Sequence, residues 1–176
     1  GVPSVVLDDN NVVSVGSRAI CWSKRALEVL DRLGVGQACV AKGVTWKVGR
    51  TFHREAEVFS FDLLPEDGHK MPAFINLQQF VVEKALVDRA NVLENLDLRW
   101  KNRVIAIKNH ADSAEITVET PDGRYNVTAD RVIACDGARS PVRSMLGLDF
   151  PGEVFEEQFL IADVRMHGDF PAERWF

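Results

Sequence analysis

Residues 130–143, reading Asp130-Arg131-Val132-Ile133-Ala134-Cys135-Asp136-Gly137-Ala138-Arg139-Ser140-Pro141-Val142-Arg143, constrain the fold more than any other stretch. The apolar run 132–135 has the length of a short buried strand. It stops at Asp136-Gly137, a turn-forming pair. Ser140-Pro141 then reads as an N-cap followed by proline at the first helical position. Val142, Met145 and Leu146 give the apolar side of a short helix, and Gly147 ends it. The unit is strand, tight turn, helix. It puts a carboxylate and several backbone N–H groups at the carboxyl end of a strand, where open α/β sheets bind ligands.

A second strand-and-acid pattern lies at the start. Val5-Val6-Leu7 ends in Asp8-Asp9, and in dinucleotide-binding folds an acid at that place accepts hydrogen bonds from an adenosine ribose. The expectation is one sheet holding residues 5–7 and 132–135, with both carboxyl ends at the same edge. Residues 23–33 predict an amphipathic helix, with Ala26, Val29, Leu30 and Leu33 at helical spacing. Gly34-Val35-Gly36 follows a helix rather than a strand, so Gly34 reads as a helix C-cap and not as part of a phosphate loop. Residues 44–50 and 57–61 predict an antiparallel pair joined through 51–56, and residues 63–72 a loop. Residues 74–83 open a second helix, and Asn76-x-x-Gln79 has capping-box spacing. Residues 96–100 and 104–108 are short strands. A hairpin turns at Pro121-Asp122-Gly123, and a further strand falls within 154–166 before the chain reaches Trp175-Phe176.

Charge and composition exclude several partners. The formal net charge of −5 argues against nucleic acid, which needs a basic footprint. No apolar run approaches the roughly 20 residues that span a bilayer, and no signal peptide is evident. Cys21, Cys39 and Cys135 form no zinc pattern and read as core thiols in a reducing, cytoplasmic setting. His53 and His69 have no companions at metal spacing, so no metal site is expected.

The segment around Asp136 resembles the D-G-x-x-S-x-V-R motif of the p-hydroxybenzoate hydroxylase family of flavoprotein monooxygenases, with Asp136, Gly137, Ser140, Val142 and Arg143 in place. Other segments are similar to the same family, and their wording to 3-(3-hydroxyphenyl)propionate hydroxylases. Asp8 matches the ribose-binding acid, although Asp9 stands where many members carry a basic residue. Ser17-Arg18-Ala19 matches the segment whose arginine approaches the flavin's phosphate and ribose side. Gln79, Val82 and Glu83 match a helix start whose glutamine reaches the cofactor.

The resemblance implies an α/β fold: a partial FAD/NAD(P)-binding Rossmann-like domain with an inserted β-ribbon and the beginning of a β-rich substrate domain. Residues 1–43 and 72–150 would belong to the FAD-binding domain, and residues 44–71 and 151–176 to the substrate domain. Asp8, Arg18, Gln79, Asp136 and Gly137 would bind FAD, with Arg18 and Asp136 facing one crevice. NADH or NADPH would be the reductant, dioxygen the oxidant and a small phenolic acid the substrate. No catalytic residue is assigned, because in this family the cofactor carries the chemistry. The Gly-rich loop and the second flavin motif of the family would lie outside the chain. The isolated chain is therefore expected to bind FAD poorly and to self-associate through an exposed sheet edge. Another FAD-dependent oxidoreductase or reductase, or a non-catalytic flavoprotein-like interaction module, is the alternative; bound flavin and substrate-dependent NADH oxidation separate the three.

Overall fold

The computed structural model describes residues 1–14, 19–160, 162 and 164–176. Its elements in chain order are β1 (Ser4–Leu7), β2 (Cys21–Ser23), α1 (Lys24–Arg32), α2 (Gly36–Lys42), β3 (Val44–Trp46), β4 (Val48–His53), β5 (Ala56–Asp62), β6 (Phe74–Asn76), α3 (Gln79–Ala90), β7 (Leu96–Arg99), β8 (Arg103–Asn109), β9 (Ala114–Thr120), β10 (Gly123–Ala129), α4 (Pro141–Met145) and β11 (Arg174–Trp175). They form two compact units, one of Gly1–Val12 with Asp97–Met166, the other of Val13–Leu96 with His167–Phe176.

In the first unit β1 pairs with β7, and β8, β9 and β10 form an antiparallel meander in the order β10-β9-β8. Alternation along β9 dictates which side is inward. Ala114, Ile116 and Val118 are buried, and Leu7, Val104, Ile107 and Val127 pack on them. Val118 is fully buried, a gain of about 1.5–3 kcal/mol over leaving it in water. Glu119 faces outward and pairs with Arg103 and Arg124. The hairpin expected around Pro121-Asp122-Gly123 is β9–β10, and Gly123 turns it at φ +134°.

Two expected strands in this unit are absent among the described residues. Residues 131–137 form neither helix nor strand and belong to no sheet, so 5–7 and 132–135 do not share one. The reason is the lack of a partner. β1 is laddered to β7, no other described strand runs beside 132–135, and Ile133 is 84% exposed. An apolar run alone cannot satisfy its backbone N–H and C=O groups. The segment within 154–166 fails for the same reason: Phe159 and Leu160 are exposed and unladdered. Ile161 and Asp163, part of that expected strand, lie outside the described residues. Cys135 is exposed rather than a core thiol, while Cys39 is buried and Cys21 half-buried, and all three are unpaired.

The second unit packs α1, α2 and α3 around a core centred on Leu27, Leu30, Met71, Ile75 and Val82. Ser23 caps α1, its Oγ accepting from Ala26 N at 3.4 Å. The apolar face turns on Leu27 and Leu30, whereas Val29 and Leu33, expected to be inward, are largely exposed. Gly34 ends the helix as expected: φ is +85°, Gly34 N donates to Asp31 O at 2.9 Å and Val35 N to Leu30 O at 3.0 Å. These are the two bonds of a Schellman closure, so the Gly34-x-Gly36 string is a helix stop.

Two small sheets complete this unit, in orders β2-β6-β3 and β11-β4-β5. The expected 44–50 strand is split. Its first half, β3, pairs with β6, and only β4 pairs with β5. Gly49 lets the Phe61 ring cross the sheet, since a Cβ there would fall within that ring. Arg174 and Trp175 form β11 beside β4, and Trp175 and Phe176 remain more than half exposed. Phe176 N donates to Arg50 O at 2.8 Å, and Arg50 grips the Glu173 carboxylate with Nε at 2.5 Å and Nη2 at 3.0 Å. The second helix begins at Gln79 rather than at 74, because Phe74–Asn76 is the central strand β6. Asn76 therefore forms no capping box. Its Oδ1 accepts from Trp46 Nε1 at 2.8 Å and from Cys21 Sγ at 3.3 Å.

Candidate cofactor site

Asp8 lies directly after β1 and is half-buried. Its backbone is fixed on both sides, Asp8 N donating to Arg99 O at 3.0 Å and Asn102 N to Asp8 O at 2.9 Å. Asp8 Oδ1 accepts from Asn10 N and Nδ2, both at 2.8 Å. Oδ2 has no hydrogen-bond partner among the described residues. Of the two carboxylate oxygens, only Oδ1 is taken by these local bonds.

Asp136 is held by the helix it precedes. Asp136 Oδ2 accepts from Val142 N at 2.9 Å, and Ser140 Oγ accepts from Arg143 N at 3.0 Å. Pro141 has no N–H, so the first three helical positions present no free donor. The hydroxyl of Ser140, the Val142 N–H and the charge of Arg143 together hold the Asp136 carboxyl below the usual carboxylate range. Gly137 has φ +82°, and a Cβ there would meet nothing, so the backbone turn and not space requires glycine. Ser140 N closes the turn on Gly137 O at 3.1 Å. Asp136 is thus anchored by Ser140 and Val142. Arg18, expected to face it, lies outside the described residues. Beside α4 opens a cleft of about 300 Å³ walled by Val132, Ala134, Val142 and Leu146; Asp8 and Asp136 do not line it.

Gln79 opens α3 in the second unit. Its Nε2 donates to Glu83 Oε1 at 2.5 Å, and Glu83 Oε2 accepts from Ser14 Oγ at 2.5 Å and Ser14 N at 3.2 Å. Gln78, the N-cap, makes no side-chain cap bond. The i, i+4 spacing of Gln79 and Glu83 is the sequence signal for this pair; the tie to Ser14 has no local signal, being 69 positions away.

Each unit, taken by itself, holds an acceptor whose chemistry fits a nucleotide cofactor such as FAD. Asp8 Oδ2 and Gln79 Oε1 are acceptors without a described protein partner, suited to hydroxyl or ring N–H donors. The turn at Asp136 is closed by hydrogen bonds from Ser140, Val142 and Arg143. The short α4 supplies no phosphate cradle, since its own side chains take its N–H groups. Among the described residues no group of His, Cys, Asp and Glu is placed to hold a metal, and no helix is long and apolar enough to cross a membrane.

Residues 1–174 match the FAD binding domain family. The chain is 31% identical over 157 residues to 12-dehydrotetracycline 5-monooxygenase/anhydrotetracycline 6-monooxygenase of Streptomyces rimosus, covering 88% of this chain and 30% of that protein. It is 21% identical over 164 residues to a 3-(3-hydroxy-phenyl)propionate/3-hydroxycinnamic acid hydroxylase of Mycolicibacterium smegmatis, covering 93% of this chain and 29% of that protein. Among solved structures, p-nitrophenol 4-monooxygenase PnpA from Pseudomonas putida DLL-E4 superposes with TM-score 0.80 at 29% identity, over 88% of this chain and 40% of that one. The chain spans about a third of the length of these curated relatives. Its α/β architecture is the one that the matching part of PnpA has, and by the match over residues 1–174 the chain belongs to the FAD binding domain family.

Proposed function

We propose that this chain is the cofactor-binding part of a monooxygenase that hydroxylates a small phenolic acid, such as 3-(3-hydroxyphenyl)propionate, with NADH or NADPH and dioxygen. The observation that carries the reading is the family match across residues 1–174, joined to relatives named as monooxygenases and a hydroxylase. The relatives' names include tetracycline and nitrophenol enzymes as well as a 3-(3-hydroxy-phenyl)propionate hydroxylase, and the sequence wording favours the phenolic acid. FAD, when bound, supplies the redox chemistry of oxygen insertion.

The protein's part is to bind and orient. Asp8, Arg18, Gln79, Asp136 and Gly137 are the proposed cofactor-binding residues. Asp8 Oδ2 would accept from ribose hydroxyls, and the Asp136–Ser140 turn would keep its backbone in a fixed shape against the cofactor. In the same reading residues 1–43 and 72–150 serve the cofactor, and residues 44–71 and 151–176 begin the substrate-binding part. Three unpaired cysteines support a reducing, cytoplasmic setting. The test is NADH or NADPH oxidation by the full-length protein with a panel of phenolic acids. Substrate-stimulated oxidation with a hydroxylated product is expected; stimulation without hydroxylation would assign a reductase instead.

A further inference from the structure

Gln79 is held in one orientation by chemistry rather than by packing. An ionised carboxylate only accepts hydrogen bonds, and an amide offers a donor end and an acceptor end. Since Glu83 Oε1 stands 2.5 Å from the Gln79 side chain, the amide must turn its NH2 toward Glu83. Oε1 of Gln79 then points away from the carboxylate. Glu83 is itself fixed from its other oxygen by Ser14, through both hydroxyl and backbone N–H. The carboxylate is half-buried and sits one turn into α3, on a helix anchored in the core by Val82, which is 1% exposed. A carboxylate so held fixes the polarity of the amide one turn before it.

We propose that Glu83 is a positioning residue of the flavin site, which locks the Gln79 amide so that Oε1 is offered as an acceptor to donor groups of FAD. The proposal rests on the flavin reading above and deepens it. Glutamine at position 83 would remove the lock while keeping the shape. The introduced amide must turn its carbonyl to the Ser14 N–H and therefore its NH2 to Gln79, which favours the reversed orientation of the Gln79 amide.

The experiment uses the full-length protein, stripped of flavin and titrated with FAD by fluorescence, with the thermal midpoint of the flavin-free form measured alongside. Glu83→Gln is expected to weaken FAD binding roughly tenfold, the size of one lost hydrogen bond to a well-placed partner, with the flavin-free midpoint unchanged. Gln79→Ala should weaken it similarly, and the double variant should be no weaker than Gln79→Ala alone. Lys84→Ala, a surface change on the same helix, serves as the neutral control. Wild-type affinity in Glu83→Gln, or losses that multiply in the double variant, would overturn the proposal. Should Glu83→Gln not fold, Glu83→Asp is read in its place: it keeps the acceptor but shortens its reach, so weakened binding supports the lock and wild-type binding refutes it. A wild-type protein that binds no FAD would instead refute the flavin reading on which the lock depends.

Discussion

Asn76→Ala separates two accounts of the same residue. Sequence spacing makes Asn76 the cap of α3; the structure makes it the polar pin of the β2-β6-β3 sheet, with Trp46 Nε1 donating to its Oδ1 at 2.8 Å. Trp46 is only 6% exposed, so deleting the acceptor leaves its indole N–H without a partner and out of water. An orphaned buried donor costs about 1–3 kcal/mol. A central value of about 2 kcal/mol lowers the folded-to-unfolded ratio roughly 30-fold. At about 2–4 °C per kcal/mol for a chain of this length, the melting midpoint falls by about 4–8 °C. Trp46→Phe removes the donor and keeps an aromatic ring to stack on Phe74, now 4.8 Å away between centroids. The double variant should therefore lose less than the sum of the two single changes, with a coupling of about 1–2 kcal/mol. Urea unfolding of all four proteins, followed by circular dichroism, measures it. Coupling below about 0.5 kcal/mol, the error of such cycles, would refute the pin and return Asn76 to the role of a cap.

Gly34→Ala should cost about 1–2 kcal/mol, because a Cβ is strained at left-handed φ and would stand 3.3 Å from Arg89 Nε; Gly34→Asn should cost less, and urea midpoints rank the two. Asp136→Asn tests the turn through pH. The Asp136 carboxyl is lowered in the folded state, first by Ser140 and then by Val142 N–H. Its contribution is therefore complete above its unfolded value of about 4 and is lost as pH falls through its lower folded value. The stability gap between wild type and Asp136→Asn should be constant at neutral pH and shrink below about pH 4. A gap that stays constant into acid would mean that the carboxylate charge does not hold the turn.

Local chemistry was legible in the sequence where a single residue type decides it. Ser23 and Ser140 cap helices, Gly34 stops one, and Gly123 turns a hairpin, each by a bond or a dihedral within a few residues. The alternation of β9 needed only its own residues to set an inward and an outward face. What the sequence misread depends on distant partners. Asn76 has cap spacing, but Cys21 and Trp46, 55 and 30 positions away, take its side chain. The apolar runs at 132–135 and 154–166 have strand composition, yet a strand exists only beside another strand, and no described one adjoins them. At the site, Asp8 follows a strand as its pattern expects, whereas Asp136 follows a stretch that pairs with no described strand, so the shared sheet edge expected for the two acids is not there. That Ser140 and Val142 hold Asp136, and that Glu83 holds both Gln79 and Ser14, required coordinates.

The most direct test of the account is the flavin content of the purified full-length protein, by absorbance before and after denaturation. Membership in the FAD binding domain family, with free acceptors at Asp8 and Gln79, predicts about one FAD per chain, released on unfolding and reduced in amount by Asp8→Ala. A well-folded protein that carries no flavin and takes up none when FAD is supplied would contradict it.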